Sequence, residues 1–335
     1  MAPTQLDLTA VGPRPRTWVL TDGKAGDEGQ CVAVVEALGL SAEIRRVSPR
    51  RPFVWLMPWG PVDPAEAPDR PGSPIAPPLP DLVVASGRRA VPYLRCIRHR
   101  SKGATYTVFL KDPRTGPSTA DLICAPSYDR VRGPNVVTTL TAPHRVTPER
   151  LAEARAVGDA RLRHLSEPRA AVLVGGNSRH GRFTASDTER LLAQLRQLTA
   201  NGVSLAITAS RRTPPDLAER LRDLAATTGG YIWDGAAPNP YVAMLALADA
   251  IVVTGDSVNM TSEAVATGAP VLVFELGSAS RRHRHFVRQL EEAGCVRSFG
   301  GKLERFAYEK LDSTPAIAQA VAAGFAAHRA VRRLG

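Results

Sequence analysis

The chain of 335 residues lacks the features that mark many common protein classes. No apolar run approaches the ~18 residues of a membrane-spanning helix, and Met1–Arg16 contains no apolar stretch typical of a signal peptide. The four cysteines form neither a C-x-x-C pair nor a metal-ligand spacing, so we predict core thiols of a reducing compartment and no metal site. There is no P-loop, G-x-G-x-x-G, G-x-S-x-G or H-E-x-x-H pattern. ATPases, dinucleotide-dependent enzymes, α/β-hydrolases and zinc proteases are therefore disfavoured.

Lysine is also scarce, because only five of the 43 basic residues are lysine. The net charge is nevertheless +11, with a pI of about 10.1, which favours anionic partners. Nucleotides and phospholipid surfaces are the partners we predict, and nucleic acid is not. Lys24 and Lys111 stand out because each directly follows the end of a predicted strand.

Apolar runs that end in polar or glycine-rich turns alternate with helical stretches along the chain, and this alternation predicts parallel sheets. The predicted fold class is α/β, with two Rossmann-like, doubly wound domains facing across a cleft. The parts are an N-terminal domain at 1–147, a connecting helix at 148–168, a C-terminal domain at 169–313 and a terminal helix at 314–335. That last helix either packs back on the N-terminal domain or lies on the surface as a basic helix.

The segment from Thr254 to Pro270 is the most informative. An apolar strand is followed by the turn Gly255-Asp256-Ser257, a helix start and a return through Gly268-Ala269-Pro270. A helix start after a strand is a ready anion site, because its first amides lack partners and the helix dipole is positive there. Glu263, less than two turns into the helix, is placed to accept hydrogen bonds from ribose hydroxyls. The alternative is a capping turn with a solvated glutamate.

Further turns follow other predicted strands, where ligands bind in open parallel sheets. Glycines let backbone amides approach a phosphate closely, and basic side chains add positive charge. Each turn alone is better explained as a plain tight turn, but their joint placement favours a ligand site. They are Asp22-Gly23-Lys24-Ala25-Gly26, Ser86-Gly87-Arg88, Lys111-Asp112, Gly175-Gly176-Asn177-Ser178 and Ser210-Arg211.

One segment, from Pro49 to Pro80, interrupts the alternation with eleven prolines and is predicted to be neither helix nor central strand. It contains the aromatic stretch Phe53–Trp59 beside Arg50 and Arg51. Such a stretch suits a peripheral contact with an anionic membrane surface. The alternative is a long connection whose aromatic side chains pack on its own domain.

Taken in order, these motifs resemble the Elm family, founded on the plant elongated-mitochondria fission factor, and the chain is similar to a bacterial member. The matching blocks are Thr21–Gly26, Ala85–Arg89, Phe109–Arg114, Leu173–Ser178 and Thr254–Glu263. The resemblance implies a GT-B fold like that of the peptidoglycan N-acetylglucosaminyltransferase that makes lipid II. That enzyme also has a late Glu followed by Gly-x-Pro, which Glu263 and Gly268–Pro270 match. Its first loop ends in His, so its base cannot be transferred to this chain.

The function expected from the resemblance is metal-independent glycosyl transfer from a nucleoside diphosphate sugar, which acts as substrate with no separate cofactor. Glu263 would bind the ribose, and further ligand-contacting residues are expected at the turns: Gly23, Gly26, Ser86, Gly87, Arg88, Gly175, Gly176, Asn177, Ser178, Ser210, Arg211, Asp256 and Ser257. Lys24 and Lys111 are candidate cations from the N-terminal side. Asp22 or Asp112 is the candidate base for the acceptor hydroxyl, although Asp112 before Pro113 is equally a turn residue.

Two other function classes are weighed. The plant member is known as an adaptor that recruits a dynamin-related GTPase, so a non-catalytic GT-B scaffold is the alternative to an enzyme. A nucleotide-sugar epimerase or reductase predicts a dinucleotide fingerprint, which is absent from the sequence. The expected location is cytoplasmic, with peripheral attachment to the inner face of the membrane and a lipid-linked acceptor as the finer interpretation.

Overall fold

The computed structural model describes residues 14–178 and 181–334. By its internal contacts the chain divides into two compact units. The first comprises Met1–Arg145 together with Ser313–Gly335, and the second comprises Val146–Asp312. Residues 1–13, most of the stretch Met1–Arg16, lie outside the described residues.

Both units alternate strands and helices. The strands are β1 (Thr17–Thr21), β2 (Glu43–Arg46), β3 (Leu82–Ser86), β4 (Tyr106–Leu110), β5 (Leu122–Pro126), β6 (Val136–Thr139), β7 (Arg169–Val174), β8 (Ser204–Ala209), β9 (Tyr231–Ile232), β10 (Ala250–Thr254), β11 (Val271–Phe274) and β12 (Val296–Ser298). The helices are α1 (Ala25–Ala37), α2 (Phe53–Leu56), α3 (Ala90–Arg100), α4 (Pro148–Val157), α5 (Ala185–Ala200), α6 (Pro215–Thr228), α7 (Tyr241–Leu247), α8 (Val258–Val265), α9 (Arg281–Glu292) and α10 (Thr314–Leu334).

Each unit contains one six-stranded sheet. The strand orders are β2-β1-β3-β4-β5-β6 and β12-β11-β10-β7-β8-β9, and the strand pairs are parallel. The central strands β1, β3 and β10 are buried along their whole length. Burial on both faces explains why these strands are continuous apolar runs rather than alternating ones. The predicted α/β class with two doubly wound, Rossmann-like sheets is confirmed.

The first sheet is covered on both faces. Side chains of β1 alternate between the two layers, as the two-residue period of a strand requires. Val19 packs in a core layer with residues of α1 and α10, whereas Trp18 and Leu20 pack in the opposite layer with residues of α3. The chain therefore needs helices on both sides of this sheet to bury its strands.

The terminal helix α10 supplies part of that cover. Its buried residues Ile317, Val321 and Phe325 recur at helical spacing and join the core layer of α1. The close approach depends on Gly324, because a Cβ there would lie 1.9 Å from the Tyr106 hydroxyl of β4. A side chain at position 324 would have to displace the Tyr106 ring or the helix.

The second unit buries the leucine face predicted for α5. Leu191, Leu195 and Leu198 are fully buried against β7, β8 and α6. The helix begins at a capping box, in which Thr184 and Asp187 bond to each other's backbone amides. This box places the start of α5 just after the Gly175–Ser178 turn.

Two segments differ from the sequence predictions. Helix α4 ends at Val157, because Gly158 adopts a φ of +66°, so the helix predicted over 148–168 covers only its first half and a short 3-10 turn follows. The proline-rich segment contains the single turn α2, with Met57 buried but Trp55 and Trp59 exposed. Within the described part of the chain, no helix is long and apolar enough to cross a membrane.

Candidate functional site

The second unit brings three of the predicted turns together. Strands β8, β7 and β10 are parallel neighbours, so the turns after Ala209, Val174 and Thr254 lie at the same edge of the sheet. The hydrogen bonds between these turns show that they form one connected structure.

Asp256 is the centre of that structure. Its carboxylate accepts hydrogen bonds from the Gly176 amide at 2.8 Å and from the Thr254 hydroxyl at 2.7 Å. The Thr254 hydroxyl in turn accepts one from the Gly175 amide at 2.7 Å. The Asp256 side chain is buried, and this burial raises its pKa despite the hydrogen bonds and the nearby Arg212 guanidinium. Asp256 therefore organises the glycine turn from inside the protein.

Both glycines of this turn are required by packing. A Cβ on Gly175 would lie 2.3 Å from an Asp256 oxygen, and a Cβ on Gly176 would lie 2.0 Å from the backbone of Arg212. The glycine pair lets the β7 turn pass between the β8 and β10 turns. In this structure the absence of side chains on the two glycines lets the backbone pack closely against Asp256 and Arg212.

The amides of the glycine turn are already hydrogen-bonded. Besides the amides of Gly175 and Gly176, the Asn177 amide donates to the Arg212 carbonyl and the Ser178 amide donates to the Gly181 carbonyl, each at 2.9 Å. The side chain of Asn177 accepts from the Phe183 amide at 2.9 Å. A phosphate cannot use these four amides without displacing the bonds they now make.

The first turn of α8 begins directly after Asp256. Ser257 is its N-cap and accepts a hydrogen bond from the Met260 amide at 3.4 Å. The start of a helix carries partial positive charge and favours an anion. Arg212 is the nearer cation, because its Nη2 atom lies 3.9 Å from Asp256, although both Arg212 and the predicted Arg211 are exposed. The Ser210 hydroxyl accepts from the Arg212 amide and so shapes the turn.

Glu263 lies on α8 in a half-buried position. One of its carboxylate oxygens accepts a hydrogen bond from the Tyr241 hydroxyl of α7 at 2.5 Å. Burial raises the pKa of Glu263 to about 7, and the Tyr241 bond offsets this only in part. No basic side chain in the described ranges forms an ion pair with it. The carboxylate is therefore partly buried and hydrogen-bonded to Tyr241 rather than fully solvated.

The first unit contains a second cluster at the carboxyl ends of β1, β3 and β4. The side chain of Asp22 is fully buried, and its Oδ2 atom accepts a hydrogen bond from Lys24 Nζ at 2.5 Å. Arg89 Nε lies 3.8 Å from the same oxygen. The other oxygen, Oδ1, has no hydrogen-bond partner among the described residues.

Gly87 makes this cluster possible. It has a φ of +94°, and a Cβ there would lie 3.4 Å from Asp22 Oδ1 and 3.2 Å from Asp27 Oδ2. Asp27, in the first turn of α1, is also ion-paired with Lys111, which itself adopts a φ of +81°. Two carboxylates, each paired with a lysine, thus face the Cα atom of Gly87.

The other predicted residues of the first unit make structural contacts, lie within α1 or are exposed. Asp112 accepts from the Arg114 amide at 2.7 Å, as expected for a turn residue. The buried Ser86 hydroxyl donates to the Leu110 carbonyl at 3.3 Å. Gly23 has a φ of +75° beside Arg46, Gly26 lies within α1, and Arg88 is exposed.

Sequence reasoning missed the residues Asp27, Arg89, Arg212, Thr254 and Tyr241. Arg89 and Arg212 share a pattern, because each is the second arginine of an Arg-Arg pair and lies near a buried aspartate, Asp22 or Asp256. The sequence pattern instead indicated the first arginine of each pair, Arg88 or Arg211. Tyr241 had no signal, as it lies 22 residues from Glu263 on another helix. Among the residues described, no group of three or more His, Cys, Asp or Glu side chains is arranged to hold a metal ion.

Comparison with known families identifies the chain. The family model described as "Mitochondrial fission ELM1" matches residues 25–325, which is most of the sequence. The chain belongs to this family. The resemblance inferred from the motifs is thereby confirmed, and the matched range includes both clusters described above except for Asp22 and Lys24.

Two curated relatives are similar to this chain. The "Mitochondrial fission protein ELM1" of Arabidopsis thaliana is 29% identical over 262 residues, which cover 70% of this chain and 61% of the plant protein. The "Uncharacterized protein RP120" of Rickettsia prowazekii (strain Madrid E) is 29% identical over 160 residues, 45% of each chain. The chain thus matches less than two thirds of the length of either relative.

Solved structures of the same fold include UDP-GlcNAc 2-epimerases. The enzyme of Neisseria meningitidis, bound to UDP-GlcNAc, has a TM-score of 0.50 and 12% identity, covering 93% of this chain and 90% of its own. The enzyme of Methanocaldococcus jannaschii has a TM-score of 0.51 and 11% identity, covering 95% and 98%. At this identity the likeness shows the fold alone, and it confirms the GT-B-like architecture.

Proposed function

We propose that the second unit binds a nucleoside diphosphate sugar at the edge formed by β8, β7 and β10, and that the protein transfers the sugar without a metal ion. The observation that carries this proposal is Glu263. It is a half-buried carboxylate with a raised pKa and no cationic partner in the described ranges. The Tyr241 hydroxyl holds one of its oxygens. Such a group costs stability unless a ligand donates to it, and two neighbouring ribose hydroxyls would supply the missing donors.

The diphosphate would lie at the first turn of α8 rather than in the glycine turn, whose amides are occupied. Arg212 and Arg211 would provide positive charge against the phosphates. Asp256 would hold the glycine turn in place, since its carboxylate accepts from the Gly176 amide and the Thr254 hydroxyl and repels an anion. The helix start and the cations would stabilise the nucleoside diphosphate as it leaves with the bonding electron pair.

The first unit would serve the acceptor. Asp22 is the stronger candidate for the base, because its Oδ1 atom is buried without a partner whereas Asp112 closes a turn. In the proposed step Asp22 takes the proton of the acceptor hydroxyl while that oxygen bonds to the anomeric carbon. The bond from this carbon to the diphosphate breaks at the same time. Lys24 and Arg89 would hold Asp22 in position.

A thermal-shift panel of UDP-, GDP-, ADP- and CMP-sugars tests donor binding. A ligand present at about 100 times its dissociation constant stabilises a protein by about 2.7 kcal/mol. We expect one nucleotide class to raise the melting temperature and the corresponding sugar nucleotide to be hydrolysed slowly without added metal. If no nucleotide of the panel shifts the melting temperature, the donor-binding proposal is wrong.

The alternative is a non-catalytic scaffold of the same fold. One observation favours it: the glycine turn is closed upon itself by Asp256 and Arg212, with no amide left open for a ligand. A scaffold predicts neither nucleotide binding nor turnover. Nucleotide binding without hydrolysis or transfer to any acceptor would support a scaffold that has kept its donor site.

A further inference from the structure

We propose that Arg51, Trp55, Leu56 and Trp59, here called the tryptophan surface, form a docking surface for an anionic lipid bilayer. The side chains of Trp55, Leu56 and Trp59 are 66%, 50% and 64% exposed. They account for half of the six large apolar side chains that are exposed in the described ranges. A cluster of two exposed tryptophans and a leucine within five residues is unusual on a protein surface and marks an interaction site.

The tryptophan surface is held rigidly in this exposed position. The Asp63 carboxylate is fully buried and accepts from the Arg50 amide at 2.8 Å and from the Arg50 side chain at 2.9 and 2.6 Å. These bonds keep the pKa of Asp63 well below its usual range. Met57, between the two tryptophans, is fully buried in the core layer of α3. Because Met57 points inward, Trp55 and Trp59 cannot turn toward the core without unpacking it.

A second set of hydrogen bonds fixes the other end of the loop. The Glu66 carboxylate accepts from the Ser48 amide at 2.8 Å and from the Tyr93 hydroxyl of α3. The segment is thus tied down on both sides of the tryptophan surface, at Arg50 and at Glu66. A loop that only needed to cover its own domain would bury its tryptophans, and this one buries Met57 instead.

The charges around the surface favour an anionic lipid headgroup as the occupant. From Arg45 to Val62 the sequence has four arginines and no acidic residue. The side chains of Arg46 and Arg50 remain 59% and 62% exposed although each is ion-paired. Arg51 lies over the Trp55 ring at 5.6 Å. Tryptophan rings beside arginines suit the membrane interface, where the ring meets the acyl boundary and the guanidinium meets phosphate.

The position of the surface links it to the cluster in the first unit. The tryptophan surface follows β2, and β2 is parallel to β1, so both strands end at the same edge as the Asp22–Lys24 turn. The Arg46 side chain also reaches that turn, because a Cβ on Gly23 would lie 3.5 Å from its Cδ atom. If the proposed glycosyl transfer holds, the acceptor hydroxyl that Asp22 meets belongs to a molecule anchored in the same bilayer, a lipid-linked acceptor.

Vesicle co-sedimentation of the full chain tests the surface without reference to catalysis. We expect the protein to pellet with vesicles of phosphatidylcholine and phosphatidylglycerol and to remain largely soluble with phosphatidylcholine alone. The double variant Trp55→Ser/Trp59→Ser should reduce the bound fraction at least tenfold. Arg51→Gln should reduce it less, and raised salt should weaken binding of the wild type.

Matched controls separate docking from folding. Val157→Ser, in the second unit, removes another apolar side chain that is 73% exposed and should leave vesicle binding unchanged. The tryptophan variant should keep the wild-type melting temperature, because both side chains are already in water. Equal recovery of wild type and variant from all vesicles would overturn the proposal. The proposal would also be overturned if the wild type did not bind vesicles and the tryptophans were needed instead to bind a protein. A nucleotide thermal shift on the same samples reports donor binding separately, so the two proposals fail independently.

Discussion

Replacing Glu263 with glutamine separates a donor-binding carboxylate from a structural one. The folded-state pKa of about 7 lies above the ordinary value of 4.5. Between these pH values the folded state binds more protons than the unfolded state. The stability associated with protonated Glu263 is therefore fully present below pH 4.5 and lost as the pH rises through 7. At about 1.4 kcal/mol per pH unit, the loss at pH 8 is about 3 kcal/mol.

Glutamine cannot ionise but can still accept the Tyr241 hydrogen bond. Without ligand, Glu263→Gln should therefore match the wild type near pH 4.5 and should be more stable by about 3 kcal/mol at pH 8. Urea unfolding at both pH values measures this difference. Glu292→Gln, an exposed position on α9, is the matched control and should change stability little at either pH.

Glu263→Gln should weaken donor binding at pH 8, although it raises the stability of the free protein at that pH. The ribose hydroxyls donate to the ionised carboxylate, so Glu263→Gln should weaken binding at pH 8 by about 1–3 kcal/mol. Wild-type affinity should fall below pH 7 toward that of the variant, whose affinity should not follow this titration. Titration calorimetry across pH 5 to 8 with the nucleotide found in the panel measures both. If Glu263→Gln binds like the wild type but melts at a much lower temperature, Glu263 is a structural residue and the reasoning fails.

Three other substitutions test the two clusters. Asp256→Ala should lower the free energy of unfolding by about 2–3 kcal/mol in urea denaturation, because the Gly176 amide and the Thr254 hydroxyl lose a buried acceptor; an unchanged midpoint would show that water replaces the carboxylate. Gly175→Ala should cost at least about 1–3 kcal/mol in the same assay, since its Cβ would collide with Asp256, and wild-type stability would mean that the turn is looser than described. Asp22→Asn should reduce turnover by about 10²–10⁴-fold with the donor dissociation constant unchanged; full activity would remove Asp22 as the base.

Much of the fold could be predicted from local sequence. Strands buried on both faces are short apolar runs, and each ends where a glycine or polar residue begins a turn, as at Thr254-Gly255. Hydrogen bonds between the turns of neighbouring strands could not be predicted individually; the sequence indicated only that these turns lie at one edge of the sheet. The bond between Gly176 and Asp256 joins residues 80 positions apart, and no local pattern indicates it. Sequence reasoning placed these residues at one edge but assigned the glycine amides to a phosphate, whereas they donate within the protein.

The sequence by itself determined the α/β class, the two series of parallel strands, the turns at their carboxyl ends and the family. These depend on hydrophobic periodicity and on residues adjacent in the chain. Tertiary structure decided which arginine of each turn lies near the buried aspartate, as with Arg89 rather than Arg88 and Arg212 rather than Arg211. Tertiary structure also decided that α10 packs with α1 in one core layer and that the Tyr241 hydroxyl donates a hydrogen bond to Glu263. Periodicity identifies an apolar face or a polar turn, but the partner depends on the packing of distant segments.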